Sequence, residues 1–98
     1  MEAAKLLGSR VQLARKRRRW TITQLAERTG VSQTTVRKVE RGDPSVALGT
    51  AFEAATLVGV VLFHPDQARR QLESARTAEL LAVLPASVRL PNGLDDDF

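Results

Sequence analysis

Apolar side chains recur at intervals of three and four residues along most of the chain, which is the spacing of a buried helix face. The first segment carries such a stripe at Leu7, Val11 and Ala14. The stretch TQLAERTG at 23–30 predicts a short second helix that is buried through Leu25 and Ala26. Two consecutive helices are therefore expected before residue 31.

Residues with capping and turn chemistry mark where these helices begin and end. Thr21 or Thr23 can cap the second helix, and Gly30 can end it by taking the left-handed conformation. Ser32 is a good N-cap for a third helix, which Gly42 stops. The pattern predicts two short helices that are joined by a tight turn.

Two further helices are predicted in the second half of the chain. The fourth covers about 46–58 and carries an apolar side formed by Leu48, Ala51, Phe52 and Ala55. Because Ala47 has no capping oxygen, we expect the start of this helix to shift toward Ser45. A fifth helix over 65–83 can begin at Pro65, which suits a first helical position. Its expected buried face comprises Ala68, Leu72 and Leu80.

After Pro85 the apolar spacing changes to a period of two, which is typical of a strand. A lone short strand cannot form a sheet, so it favours pairing with a second copy of the chain. The residues predicted to mediate this dimerisation are Ala86, Val88 and Leu90. An extended tail is the alternative interpretation. The last stretch, PNGLDDDF, predicts a turn and a flexible acidic end.

The third helix has an exposed face of unusual composition. At about 100° per residue, five polar or basic side chains fall within one sector roughly 140° wide. They are Gln33, Thr34, Arg37, Lys38 and Arg41. Val36 and Val39 point the other way. Side chains of these types hydrogen-bond to base edges and neutralise phosphates, so the face indicates contact with duplex DNA.

Charge is divided unevenly along the chain. Residues 1–42 carry eleven Lys or Arg against three Glu, whereas residues 43–98 carry four Arg against eight acidic residues. A basic first half indicates a polyanionic partner, and the run RKRRR at 15–19 strengthens that interpretation. A solvated charged surface is the alternative.

Composition argues against catalysis and against a membrane protein. The chain has no cysteine and one histidine, His64, and it lacks a glycine-rich phosphate loop. We therefore expect no catalytic residues, no metal site and no cofactor. No run of eighteen apolar residues is present, and the first residues do not form a signal peptide. The chain is expected to be cytoplasmic, associated with the nucleoid and without a membrane partner.

The sequence LAERTGVSQTTVRKVERGD at 25–43 resembles the Cro/C1-type helix-turn-helix of the XRE family of bacterial and phage repressors. The resemblance covers about residues 7–62 and rests on a shared pattern of buried residues and turn glycines. It implies an all-α, five-helix, lambda-repressor-like domain that binds operator DNA. It also implies that an arginine of the first helix, here Arg15, pairs with Glu40 near the end of the third.

The same resemblance assigns roles to the basic face. The positions that would read bases are Gln33, Thr34, Arg37 and Lys38. The positions that would meet phosphates are Ser32, Arg41, Arg18 and Arg19. Trp20 is expected to be a wedge between helices rather than a platform on which bases stack.

The C-terminal part is similar to that of HipB-like antitoxins, small XRE-family proteins that dimerise partly through a β element. Such proteins repress their own operon and bind a HipA-type serine/threonine kinase toxin. The resemblance implies a toxin contact through the acidic end and the terminal aromatic residue: Asp95, Asp96, Asp97 and Phe98. A disordered solubilising tail is the alternative for this segment.

The sequence therefore predicts three parts: a DNA-binding domain over 1–63, a helix and strand for dimerisation over 64–91, and a flexible acidic tail over 92–98. The predicted function is that of a homodimeric, sequence-specific repressor of a near-palindromic operator that acts as a HipB-like antitoxin. A stand-alone phage-like or bacterial XRE autorepressor without a toxin partner is the alternative.

Overall fold

The computed structural model describes residues 2–89 and 95–96, with side chains up to residue 87. The described part of the chain contains five helices: α1 (Glu2–Arg17), α2 (Ile22–Thr29), α3 (Gln33–Arg41), α4 (Leu48–Leu57) and α5 (Gln67–Val83). The predicted five-helix architecture is confirmed. The chain divides into two compact units, Met1–Leu62 and Phe63–Phe98. No helix in the described residues is long and apolar enough to cross a membrane.

The core of the first unit forms where α1 and α2 pack against α3 and α4. Its buried apolar residues come from all four helices: Val11, Leu25, Ala26, Val36, Val39, Ala54, Ala55 and Val58. Most are alanine or valine, so the helices can approach one another closely. Leu25, Val11 and Val36 are the largest side chains that are fully buried. Because the core is small, hydrogen bonds at the helix ends and close contacts where the helices cross must also help to determine the fold.

The first four helices end in the same way. In each, one residue takes a left-handed conformation, and two backbone N–H groups fold back onto carbonyls of the last turn. Gly30 has φ 73° after α2, and Gly42 has φ 73° after α3. At the end of α1 the left-handed residue is Arg19, with φ 59°. A side chain in this conformation costs about 1–2 kcal/mol relative to glycine.

The turn between α2 and α3 follows from local chemistry on both sides. Thr21 Oγ1 accepts the N–H of Gln24 at 3.1 Å, and Gln24 Oε1 accepts the N–H of Thr21 at 2.8 Å. This reciprocal pair fixes the start of α2. Gly30 then ends α2, and Ser32 caps α3. The predicted pair of short helices and its tight turn are present.

The backbone of α1 lies directly on the last turn of α3. A Cβ placed on Gly8 would come within 2.5 Å of the Val39 carbonyl oxygen and 2.6 Å of the Glu40 carbonyl oxygen. A Cβ on Gly42 would come within 2.5 Å of Lys5 Cα. Only glycine therefore fits at these two crossings.

A buried ion pair joins the same two helices. Arg15 Nε and a terminal guanidinium nitrogen donate to the two Glu40 carboxylate oxygens at 2.6 and 3.0 Å. The other terminal nitrogen donates to the Trp20 carbonyl at 2.9 Å. The two side chains are 9% and 7% exposed. Because both charges are buried and paired, removal of either partner leaves the other charge unsatisfied.

The start of α4 differs from the prediction. The helix begins at Leu48 rather than shifting toward Ser45, and Ala47 is its N-cap without a side-chain hydrogen bond. Ser45 instead donates its N–H and its hydroxyl to Asp43 Oδ1 at 2.8 and 2.7 Å, which closes the preceding turn. Leu48, which was expected on the buried side, is 68% exposed. The buried residues of α4 lie later, at Ala54 and Ala55.

The fifth helix also differs from the prediction. It begins at Gln67 after an Asp66 N-cap, not at Pro65, and it has no buried residue. Leu72 and Leu80, which were predicted to be buried, are 64% and 57% exposed. The amphipathic pattern therefore marks a face that the described residues of this chain do not cover.

The C-terminal strand is short. Strand β1 (Val88–Arg89) pairs antiparallel with strand β2 (Asp95–Asp96), with Val88 opposite Asp96 and Arg89 opposite Asp95. This pairing is within the chain, and pairing with a second copy stays a prediction. Ala86 lies before β1, and Leu90, Asp97 and Phe98 lie outside the described residues.

We expect Gly8→Ala to destabilise the protein by about 1–3 kcal/mol or more, because the added methyl group meets backbone carbonyls that cannot move away independently. Gly49→Ala in α4 is the matched control, because a Cβ there meets nothing within 4 Å. That variant should stabilise by about 0.5–1 kcal/mol, since alanine favours a helix. Urea unfolding measures both, and similar midpoints for the two variants would contradict the close approach at Gly8.

Arg15→Met should lower the free energy of unfolding by about 3–5 kcal/mol, because it leaves the Glu40 carboxylate buried without its partner. Arg41→Ala is the control, since Arg41 pairs with Asp43 only at 3.7 Å and is 63% exposed. We expect a change within about 0.5 kcal/mol for that variant. Equal losses in the two variants would show that the buried pair has no special role.

Candidate nucleic-acid interface

The outer face of α3 is exposed and carries no free carboxylate. Gln33, Thr34, Arg37 and Arg41 are exposed, and Lys38 is half-buried. On the inner side Val36 and Val39 are 1% and 5% exposed and hold the helix on the core. The five residues of the polar sector lie on one helix, as their spacing predicts. We call this set the reading face.

The only acidic residue of α3 is turned away from the reading face. Glu40 has both carboxylate oxygens bound to Arg15 and a side chain only 7% exposed. The negative charge of Glu40 is therefore neutralised by Arg15 inside the domain. The reading face can approach a polyanion without repulsion from its own helix.

The first turn of α3 is closed by Ser32. Its hydroxyl oxygen accepts the Thr35 N–H at 3.1 Å and lies 2.9 Å from Thr35 Oγ1. Ser32 is exposed at the N-terminus of the helix. Backbone N–H groups and the positive end of the helix dipole at such a position favour a phosphate, which agrees with the predicted role of Ser32.

Asp43 lies just beyond the reading face and is held by its own turn. Ser45 donates two hydrogen bonds to its carboxylate, and Lys38 and Arg41 are nearby cations. The hydrogen bonds to Ser45 are the main cause that lowers the pKa of Asp43. The carboxylate therefore stays ionised to a lower pH than an isolated aspartate, and the stability it contributes is lost as the pH falls through this lowered pKa.

The two arginines that follow α1, for which phosphate contacts are predicted, take part in the fold. Arg18 Nε donates to the Val58 carbonyl at 2.8 Å and so satisfies the C-terminal end of α4. A Cβ on Gly59 would lie 2.7 Å from the Arg18 guanidinium. Arg19 is exposed and holds the left-handed position. Of the two, Arg19 leaves its guanidinium without a hydrogen bond among the described residues.

Trp20 is half-buried against the core and carries cations on its ring. The Arg28 guanidinium lies 4.0 Å from the ring centroid, and that of Arg18 lies 5.5 Å away. These are cation–π distances. The ring therefore packs on the core as a wedge, as predicted, with two cations of the same domain close to it.

Sequence reasoning missed two residues of α1 that lie beside the reading face. Gln12 and Lys16 line a shallow basin of about 310 Å³ together with Arg37 and Arg41. The signal was available, since residues 12, 15 and 16 share one side of a helix and Arg15 was already expected to contact α3. Among the described residues, no group of three or more His, Cys, Asp or Glu side chains is arranged to hold a metal.

Comparison with known proteins agrees with this geometry for the first unit. A model of the Helix-turn-helix family matches residues 11–60, which include the end of α1, the reading face and α4. No curated protein and no solved structure matches the chain. The resemblance of the C-terminal part to HipB-like antitoxins therefore stays a prediction.

The match places the turn between α2 and α3 within the family's own motif, where the second of the two helices enters the major groove of DNA. It spans half of the 98-residue chain. The protein thus belongs to the XRE-type helix-turn-helix family of DNA-binding transcription regulators.

Proposed function

We propose that this protein is a sequence-specific repressor that reads a near-palindromic operator as a homodimer. The observation that carries the proposal is the reading face, which is exposed, basic and free of uncompensated acid. In this proposal Gln33, Thr34, Arg37 and Lys38 contact base edges. Phosphate contacts come from Ser32, Arg41, Arg18 and Arg19.

The proposed base contacts follow from side-chain geometry. Gln33 can form a paired hydrogen bond to adenine, and Arg37 or Lys38 can donate to the two acceptors of guanine. Thr34 offers a methyl group and a hydroxyl in the first turn of α3. Lys38 is half-buried, so packing along its stem limits the directions in which its ammonium can point. A side chain with few accessible orientations favours discrimination between bases over nonspecific attraction to DNA.

Exposed apolar residues in the second unit support a homodimer. Four large apolar side chains of α5 are more than half exposed: Leu72, Leu80, Leu81 and Val83. Such a surface is costly in water and is typical of an interface. We propose that a second copy covers this face and that Ala86, Val88 and Leu90 extend the interface. Repression then follows because the bound dimer blocks RNA polymerase from the promoter.

We further propose that the repressor is a HipB-like antitoxin that controls its own operon and binds a HipA-type serine/threonine kinase. Charge supports this step, since residues 43–98 carry eight acidic residues against four Arg, in contrast to the basic DNA-binding domain. In the proposal Asp95, Asp96, Asp97 and Phe98 bind a basic and apolar surface of the kinase. A repressor with no toxin partner is the outcome if the kinase does not bind.

Selection of random duplexes by the purified protein, followed by sequencing, should yield a near-palindrome. The half-site centres should lie about 34–36 Å apart or at a multiple of that distance. Lys38→Ala should then weaken binding to the selected operator by about 1–3 kcal/mol, because one paired base contact is lost. Binding curves at near-physiological salt measure the effect.

Lys5→Ala is the matched control, since Lys5 is an exposed lysine of α1 outside the reading face. It should leave the sequence preference unchanged. If no sequence is enriched, or if Lys38→Ala and Gln33→Ala both bind like wild type, the assignment of the reading face is wrong.

Removal of residues 92–98 should leave operator binding intact and weaken binding to the kinase, as measured by titration calorimetry with a HipA-type kinase. Because the truncation also removes the partner of β1, Phe98→Ala is the control that keeps Asp95–Asp96 in place. Equal kinase affinity in the full-length and truncated chains would reject the proposed contact of the acidic tail. Absence of binding by the full-length chain would leave the stand-alone repressor.

A further inference from the structure

One side of α5 combines exposed apolar residues with charges of both signs. A groove of about 680 Å³ runs along this side, and Leu72, Leu80 and Val83 are among its lining residues. Arg76 and Glu79 line it as well. Within the residues that the structure describes, neither of these two charged side chains has an ion pair. This side of the helix therefore offers both apolar area and unpaired charge to a partner.

Four of the lining residues have the spacing of a helix–helix seam. Leu72, Arg76, Glu79 and Val83 follow one another at intervals of four, three and four residues. Two helices that pack along their length make contact at this spacing. At about 100° per residue the four side chains fall within a sector of about 60°. We call these four residues the α5 seam. Leu80 flanks the seam, whereas Leu81 lies on the opposite side of the helix.

The order of residues along the α5 seam is complementary to itself in reverse. Read forwards, the seam is apolar, basic, acidic and apolar. A second α5 that runs in the opposite direction places its Val83 opposite Leu72 and its Glu79 opposite Arg76. The two-fold axis of such a pair passes between residues 77 and 78, so symmetry makes each of these contacts twice.

Other arrangements of two α5 helices are less favourable. A parallel pair places Arg76 opposite Arg76 and Glu79 opposite Glu79, and like charges in contact repel. An antiparallel pair that is shifted by one heptad places Leu72 opposite Arg76, which buries a charge against an apolar side chain. An unrelated helix would place no such constraint on the order of residues in this chain. The seam therefore favours a second copy as its occupant.

We propose that α5 pairs antiparallel with α5 of a second copy, with Leu72 opposite Val83 and Arg76 opposite Glu79. The pairing rests on the homodimer of the proposed function and specifies which surface forms it and in which direction. Leu72 and Val83 supply the buried apolar area. The Arg76–Glu79 contacts lose hydration as they form, so their main effect is to select the direction and register of the pair.

Charge reversal tests the two Arg76–Glu79 contacts. Arg76→Glu places glutamates opposite each other at both contacts, and Glu79→Arg places arginines there. Each variant should raise the dimer dissociation constant by about tenfold or more, as measured by sedimentation equilibrium at 0.15 M salt. The double variant Arg76→Glu/Glu79→Arg restores opposite charges, so its constant should return to within about twofold of wild type.

A mixture of the two single variants should form heterodimers in preference to either homodimer, because only the mixed pair brings opposite charges together. Native mass spectrometry measures the three species. Gln71 supplies the matched controls, since it is an exposed residue of α5 that does not line the groove. Gln71→Glu and Gln71→Arg should dimerise like wild type. Failure of the double variant to recover, or a statistical mixture of species, would overturn the pairing.

Engineered disulfides test the direction independently, because the natural chain has no cysteine. The antiparallel register predicts that the double variant Leu72→Cys/Val83→Cys forms a covalent dimer on mild oxidation. Each single variant should stay uncrosslinked. A covalent dimer from either single variant would indicate a parallel pair and would reject the proposed register.

Failure of the proposed function gives different results. If both charge-reversed variants dimerise like wild type while Lys38→Ala weakens operator binding, the homodimeric repressor stands and the α5 pairing is wrong. If the wild-type chain is monomeric throughout the concentration series, the pairing and the proposed homodimer both fail. If the charge swap behaves as expected but Lys38→Ala and Gln33→Ala bind DNA like wild type, the pairing stands without the reading face. Circular dichroism of each variant checks that the fold is retained.

Discussion

The backbone of α1 lies against the last turn of α3, and the position of α3 depends on this contact. Gly8 allows the two backbones to meet, because a methyl group at that position would strike two carbonyl oxygens of α3. About two turns farther along α1, Arg15 binds Glu40 through two hydrogen bonds and anchors the Trp20 carbonyl with a third. The helix is thus fixed entirely from its inner side. Its outer side stays exposed and can contact a ligand.

The same arrangement sorts the charges of the domain. Glu40, the single acid of α3, serves as a buried partner, and Asp43 is held by the hydroxyl and N–H of Ser45. Acidic side chains next to the interface are therefore used for structure, whereas the basic ones remain exposed. A helix with the same residues but an exposed Glu40 would repel the phosphates that surround any target site. Burial of the Glu40 carboxylate therefore stabilises the fold and also keeps a negative charge off the exposed side of α3.

Features that depend on a few neighbouring residues could be predicted from the sequence. The ends of α2 and α3 follow from Thr21, Gly30, Ser32 and Gly42, and the reading face follows from the helical period. The role of Gly8 could not be predicted in this way, because it depends on how closely α1 approaches α3. The exposure of α5 was missed for a related reason. An apolar stripe shows that a face must be covered, but not that the cover comes from the same chain. The hydrogen bond from Arg18 to the end of α4 was missed as well, because it joins residues that are far apart in the sequence.

The repeated helix ending has a consequence for how the first unit folds. In α1 to α4 the stop is built from two hydrogen bonds within six residues, so the position of each helix end is specified locally. Because these helix ends are specified by neighbouring residues, the chain has little freedom to form helices of the wrong length. Helical domains that are rich in such local contacts fold within microseconds to milliseconds. The end of α1 is the exception, because Arg19 occupies the left-handed position where the other three helices have glycine. The cost of about 1–2 kcal/mol for a side chain in that position is offset by its neighbours, because Arg18 binds the Val58 carbonyl and Arg15 binds the Trp20 carbonyl.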